Sequence, residues 1–415
     1  MSVPAWVWGL TIAGIAALLL FDFLVHVRRA HTPTLREAAL WSAVYVSVAI
    51  LFGAGLWLTA GSAPGLEYFA GYVTEKALSV DNLFVFLIIM TSFRVPRADQ
   101  QKVLLFGIVV SLAVRGGFIA LGAALINTFS AVFYLFGLIL LLTAGNLIKD
   151  TGEAEREVDN LVVRLARRML HTTDRYDGDR LFTVVDGARV MTPMLLVMIA
   201  IGGTDILFAL DSIPAIFGLT SSAYIVFTAT AFSLMGLRQL YFLIDGLLDR
   251  LIYLSYGLAV ILGFIGVKLI LHALHENNLP IINGGGPVTV VEISTELSLA
   301  VVVGSLLVTV LGSVFSAKGR ARTIINNAQR HANQYLDLDF ETDPAIRERN
   351  YLRLLTEKAQ LGTIPAKYRS MIRDEPGLAE LLARAQATHD AYLEANPQLA
   401  AHAAAVIEAH QATLP

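Results

Sequence analysis

Glu75-Lys76-Ala77-Leu78-Ser79-Val80-Asp81-Asn82 lies inside residues 67–93, a stretch otherwise apolar and long enough to cross a membrane. An acid at the centre of a bilayer costs roughly 2.5–3.5 kcal/mol, so Glu75 and Asp81 together cost roughly 5–7 kcal/mol unless neutralised, paired or hydrated. Residues 193–218 repeat the pattern as Thr204-Asp205-Ile206-Leu207-Phe208-Ala209-Leu210-Asp211-Ser212. In both stretches the acids stand six apart, and a small polar residue, Asn82 or Ser212, follows the second. Charges placed so expensively in two separate spans read as an ion site.

The rest of the chain fits a membrane setting. Its 415 residues are 55% hydrophobic and only 16% charged, with a mean hydropathy of +0.62. That balance describes an all-α polytopic membrane protein whose first partner is the lipid bilayer. A net charge of −3 gives no basic excess for nucleic acid. The absence of cysteine excludes disulfides, thiolate metal sites and Cys-based redox chemistry. No Walker-type glycine loop is present, so ATP is not expected to drive the protein. No catalytic residue set emerges, and an enzyme is not expected.

Nine spans account for the hydropathy: about 5–27, 38–60, 67–93, 103–126, 131–148, 193–218, 222–244, 251–272 and 294–315. Arg28, Arg29, Arg36, Arg94, Arg97 and Lys102 fall on one side. So do Arg156, Arg164, Arg167, Arg168, Arg175 and Arg180 in the long loop, and Lys318, Arg320 and Arg322 after the last span. The positive-inside rule makes that side cytoplasmic, with the N-terminus outside. The organisation is a two-helix segment (1–65), three helices (66–150), a cytoplasmic loop (151–192), three helices (193–273), an external loop with the ninth helix (274–316), and a helical cytoplasmic tail (317–415). Within the loop, Asp186-Gly187 between β-branched runs signals a hairpin. The tail histidines His331, His389, His402 and His410 are expected on solvated surface.

Spans three to five and six to eight resemble two copies of one unit. Each begins with the paired-acid helix, and each second helix carries one arginine, Arg115 or Arg238. Each third helix ends in lysine, Lys149 or Lys268. Three being odd, the copies cross in opposite directions, the inverted repeat common in secondary transporters. Positions six apart on a helix differ by about 9 Å in depth and about 120° in direction, so one regular helix cannot chelate an ion with both acids. An inverted pair instead levels Glu75 with Asp211 and Asp81 with Asp205. Pro214, which cannot donate to the Leu210 carbonyl, and Gly202-Gly203 suggest unwound backbone beside the second motif. Carboxylates with Asn82, Ser79, Thr204 and Ser212 oxygens suit hard divalent cations such as Mn²⁺, Mg²⁺ or Ca²⁺. Lys76, Arg115 and Arg238 are the candidate counter-charges. Asp22 and His26, with Glu292 and Glu296, lie near span ends and are expected to face water.

Glu75-Lys76-Ala77-Leu78-Ser79-Val80-Asp81-Asn82-Leu83-Phe84-Val85-Phe86 and Gly202-Gly203-Thr204-Asp205-Ile206-Leu207-Phe208-Ala209-Leu210-Asp211-Ser212-Ile213-Pro214-Ala215 resemble the TerC family of integral membrane proteins. The likeness covers roughly 1–320. It implies a bacterial inner-membrane protein, a link to tellurium resistance, and export of manganese with Glu75, Asp81, Asp205 and Asp211 as the intramembrane acids. It also leaves a different reading open: a membrane-protein assembly factor or scaffold, as a plant relative is thought to be. Typical members end soon after the last span, so the tail stands outside what the likeness implies. No bound cofactor is expected, only the transported ion.

Overall fold

The computed structural model describes residues 3–27, 35–93, 95–129, 131–148, 176–178, 180–185, 188–244, 253–277, 279, 281–336, 344–365, 375–395 and 397. Arg28, Arg29, Arg94, the connection 149–175, Asp186-Gly187, His402 and His410 lie outside the described residues. The helices are α1 (Ala5–Asp22), α2 (Leu35–Ala60), α3 (Ser62–Ser92), α4 (Arg97–Thr128), α5 (Val132–Ile148) and α6 (Pro193–Phe217). They continue as α7 (Ala223–Leu234), α8 (Leu237–Ile244), α9 (Leu254–His275), α10 (Thr295–Phe315), α11 (Ala317–Leu336), α12 (Pro344–Thr363) and α13 (Glu375–Ala395). The chain divides into two compact units, 1–245 with 254–309, and 246–253 with 310–415.

The first unit exposes large apolar side chains while burying several charged ones within an apolar core. Leu51 and Leu58 on α2 are 70% and 86% exposed, whereas Glu75, Arg115 and Asp205 are buried. Among the described residues, seven helical segments are long and apolar enough to cross a membrane, from Ala5–Val25 to Thr295–Phe315. α5, at 17 residues, is shorter. α3 spans 31 residues but carries Glu67, Glu75, Lys76 and Asp81. The protein is therefore an all-α polytopic membrane protein.

Local chemistry sets the helix limits. Gly61, at φ 106°, separates α2 from α3, and only glycine adopts that conformation cheaply. Pro64 is tolerated in the first turn of α3, where its missing N–H has no intrahelical partner to lose. Pro193 opens α6 in the same way. The unwinding expected around Gly202-Gly203 and Pro214 does not occur: α6 runs continuously through all three. The interruption falls in the next span, where Gly236 at φ 82° parts α7 from α8. A Cβ on Gly236 would stand 2.9 Å from Tyr45 Cβ, so the break also permits close approach of α2.

Helix pairing is selective. α3 packs on α6 and α7, α4 packs on the same two helices, and α5 packs on α9. At the α5–α9 crossing, a Cβ on Gly137 would meet the Gly266 carbonyl oxygen at 2.9 Å. Small residues allow such approach between membrane helices. Before α6, β1 (Phe182–Val185) and β2 (Ala188–Met191) pair antiparallel with Val185 opposite Ala188, the hairpin expected around Asp186-Gly187. Tyr176 donates to the Phe93 carbonyl at 2.7 Å. Burial, then Asp99, pushes its phenol up to about 12, which keeps that donor protonated.

The second unit packs Ala321, Ile325, Ala328, Tyr335, Tyr351, Leu354, Leu378 and Leu382 into its own core. Its histidines correct the surface expectation. His331 is 7% exposed and pairs with Glu357 at 2.9 Å. His389 is 1% exposed, pairs with Glu348 at 3.2 Å and stacks on Tyr351. Carboxylates on facing helices make burial affordable for these polar rings, a partner that helix-face patterning does not reveal.

Candidate intramembrane ion site

The site is built on the middles of α3, α4 and α6. Glu75 lies thirteen residues into α3, about 20 Å along its axis, and Arg115 lies eighteen into α4, about 27 Å. Both are 0% exposed, and the Arg115 guanidinium donates to Glu75 Oε1. With its amide oriented to satisfy both neighbours, Asn82 accepts from Arg115 Nη2 at 3.1 Å and donates to the Leu78 carbonyl at 3.1 Å. Asp205 and Asp211 of α6 are the other carboxylates facing the Arg115 charge, and Ser111 lies beside Asp205. Arg115 thus pairs with Glu75 from one acid motif and lies within electrostatic reach of Asp205 and Asp211 from the other.

Among the described residues, Glu75 Oε2, Ser79 Oγ, Ser111 Oγ, Arg115 Nε, Asp205 Oδ2 and Ser212 Oγ are buried with no hydrogen-bond partner. Buried polar atoms are normally satisfied, so a concentration of orphans on three adjoining helices is unusual. Five of the six are oxygens, the donor type that hard divalent cations take. Among the described residues, no three His, Asp or Glu side chains stand together as a ready metal cage. Arg115 instead holds Glu75, and Asp81 is only partly buried.

The other two cations act elsewhere. Lys76 Nζ donates to the Ser233 carbonyl at 3.0 Å, in the last turn of α7, where orphan carbonyls carry the negative end of the helix dipole. Arg238 Nη2 binds Asp22 Oδ1 at 2.7 Å, and Arg238 Nη1 donates to Gln101. Asp22 does not face water as expected: it is 5% exposed at the end of α1. Its Oδ1 also accepts from Tyr45 at 2.9 Å and from Gln239 Nε2 at 3.1 Å. A lone acid before an arginine pair carries little sequence signal, and its partner stands 216 positions away.

Residues 60–321 match the integral membrane protein TerC family. An uncharacterized membrane protein of Mycobacterium tuberculosis H37Rv is 57% identical over 397 residues, covering 95% of this chain and all of the relative. That similarity takes in the tail. An uncharacterized membrane protein of Myxococcus xanthus is 37% identical over 75% of this chain and 92% of its own. Alx of Escherichia coli K12, whose name describes a candidate membrane-bound redox modulator, is 39% identical over 64% of this chain and 85% of its own. No solved structure matches this chain.

Proposed function

The chain belongs to the TerC family of integral membrane proteins, and on that premise we propose that it is a secondary transporter exporting divalent metal cations, Mn²⁺ foremost, through Glu75, Asp81, Asp205 and Asp211. The observation that carries this reading is the charge imbalance around Arg115. Glu75 is paired with the buried Arg115, while Asp205 and Asp211 feel the same guanidinium without an ion pair to it, leaving two formal negative charges unmatched when all are ionised. A structural ion pair needs one acid per base; a surplus of two is what one divalent cation would neutralise. The orphaned oxygens of Glu75, Asp205, Ser79 and Ser212 are the ligands such an ion would take up.

In the empty centre Arg115 neutralises part of the charge, and an arriving cation displaces its electrostatic hold. Asn82 and Ser212 follow Asp81 and Asp211 and supply neutral oxygens. Packing supports the inverted repeat: exchanging α3, α4 and α5 for α6, α7 and α9 leaves the main pairings unchanged. In this reading nine spans cross the bacterial inner membrane, with the N-terminus outside and the tail in the cytoplasm. The redox modulation in the name of Alx has no thiol to work through here, since the chain has no cysteine.

The test is uptake of Mn²⁺ into proteoliposomes holding the purified chain, with Mg²⁺ and Ca²⁺ as competitors. Asp205→Asn and Asp211→Asn should each abolish uptake while the protein still inserts. Wild-type vesicles no more permeable to Mn²⁺ than empty ones would reject the proposal and favour an assembly or scaffold role.

A further inference from the structure

The Asp22–Arg238 network is a second polar centre that the ion site does not use. Gln101, its α4 member, lies fourteen residues before Arg115, so the two centres are about 21 Å apart along that helix. The network sits where α1 ends and α4 begins, with α8 completing it. The two centres also differ in charge. At Arg238 the guanidinium pairs with the Asp22 carboxylate, with Gln101, Gln239 and Tyr45 as neutral partners among the described residues. Tyr241 of α8 further donates to Gln100 of α4 at 3.3 Å. Here an acid and a base are directly paired and heavily hydrogen-bonded, with neutral side chains around them. Such a pair is suited to holding helices together.

Both ends of the pair are attached to irregular backbone. Phe23–Val27, directly after Asp22, forms a π-helical turn. Such turns are rare and concentrate at functional sites. Arg238 follows Gly236, whose φ of 82° breaks the span between α7 and α8. On the α7 side of that break, Lys76 holds the Ser233 carbonyl, which ties α7 to the ion-site helix α3. α8 is therefore joined to α1 and α4 by side-chain bonds, to α2 through the Asp22 carboxylate that Tyr45 shares, and to α7 through a glycine. A small pocket lies against the network, lined by Glu37, Trp41, Gln101, Arg238, Gln239 and Phe242. Arg238 Nε and Gln239 Oε1 are buried there without partners.

We propose that Asp22 and Arg238 form a latch that closes this end of the membrane unit, and that α8 moves about Gly236 when the latch opens to admit ions toward Arg115. Asp22 is then a gating residue of the transporter proposed above, on which this inference rests. Its direct readout is access to the interior, independent of the cargo.

The chain has no cysteine, so Ser233→Cys supplies one reporter thiol, wholly buried on the α7 side of the break. In the otherwise wild-type protein in vesicles, a small maleimide should label it slowly. Asp22→Asn and Arg238→Gln should each speed labelling by about tenfold or more, because removing either partner undoes a buried pair. The double variant should be no faster than the quicker single, as both changes open the same latch. If Asp22→Asn fails to insert, Tyr45→Phe removes one hydrogen bond and should speed labelling by about two- to tenfold. Unchanged labelling in the variants that insert would overturn the latch. Mn²⁺ uptake measured on the same vesicles separates the two ideas. Faster labelling in a chain that moves no Mn²⁺ keeps the latch and removes the cargo; Mn²⁺ movement with unchanged labelling does the reverse.

Discussion

Replacing Arg115 should harm the empty protein more than replacing Glu75, and Mn²⁺ should reverse most of that harm. In the wild type, Arg115 binds Glu75 and also faces Asp205 and Asp211, all inside a bundle where the guanidinium is 0% exposed. Glu75→Gln removes the paired acid but leaves the guanidinium the attraction of Asp205 and Asp211, so the loss is that of one charged hydrogen bond, about 1.5–3 kcal/mol. Arg115→Gln strands Glu75 without its partner and removes the positive charge that Asp205 and Asp211 feel, and breaking a buried pair in that way costs about 3–5 kcal/mol. A divalent cation at 100 times its Kd returns about 2.7 kcal/mol. It should also bind Arg115→Gln more tightly than wild type, because no guanidinium competes. The assay is thermal unfolding of detergent-purified protein with and without Mn²⁺, alongside direct Mn²⁺ titration of each variant. Arg115→Gln that is no less stable than Glu75→Gln, or that gains less from Mn²⁺ than the wild type does, would refute the surplus-charge argument.

The acids should couple through Arg115 across the two motifs. In a cycle of Glu75→Gln with Asp211→Asn, metal affinity should show an interaction of about 0.5–3 kcal/mol, exceeding that of Glu75 with Asp81; stronger coupling within α3 would reject the crosswise arrangement. Gly236→Ala should destabilise the membrane unit by about 1–2 kcal/mol from its left-handed backbone alone, and more from the clash with Tyr45; unfolding in mild denaturant reads this, and a neutral result would deny the break. In the second unit, Leu354→Ala should cost about 2–5 kcal/mol, seen as protease sensitivity confined to 317–395, while Mn²⁺ uptake stays near wild type; lost uptake would show that the tail takes part in transport. Single cysteines at the exposed positions Ser221 and Gln386 should label from opposite sides of intact cells, and labelling of both from outside would overturn the proposed topology.

The sequence by itself determined that this chain lives in a membrane and where its intramembrane charges lie. Apolar runs set the spans, and a charge inside such a run costs so much that Glu75, Asp205 and Arg115 stand out without any knowledge of their neighbours. The Asp186-Gly187 hairpin was legible for a similar reason, since the turn residues act locally. Only the tertiary structure decided who pairs with whom. Arg115 and Arg238 occupy matching places in the two stretches the sequence reads as copies, yet one joins Glu75 and the other joins Asp22 on α1. Pro214 and Gly202-Gly203 were the expected breaks in a span. Pro214 sits inside a continuous α6, while Gly236, where α2 crowds the backbone, takes the left-handed turn. His331 and His389 likewise read as surface until facing helices brought Glu357 and Glu348 to them. Burial cost is a property of one residue in its own segment and can be read in order along the chain. Its compensation is a property of two or more segments, and their meeting is fixed only when the helices pack.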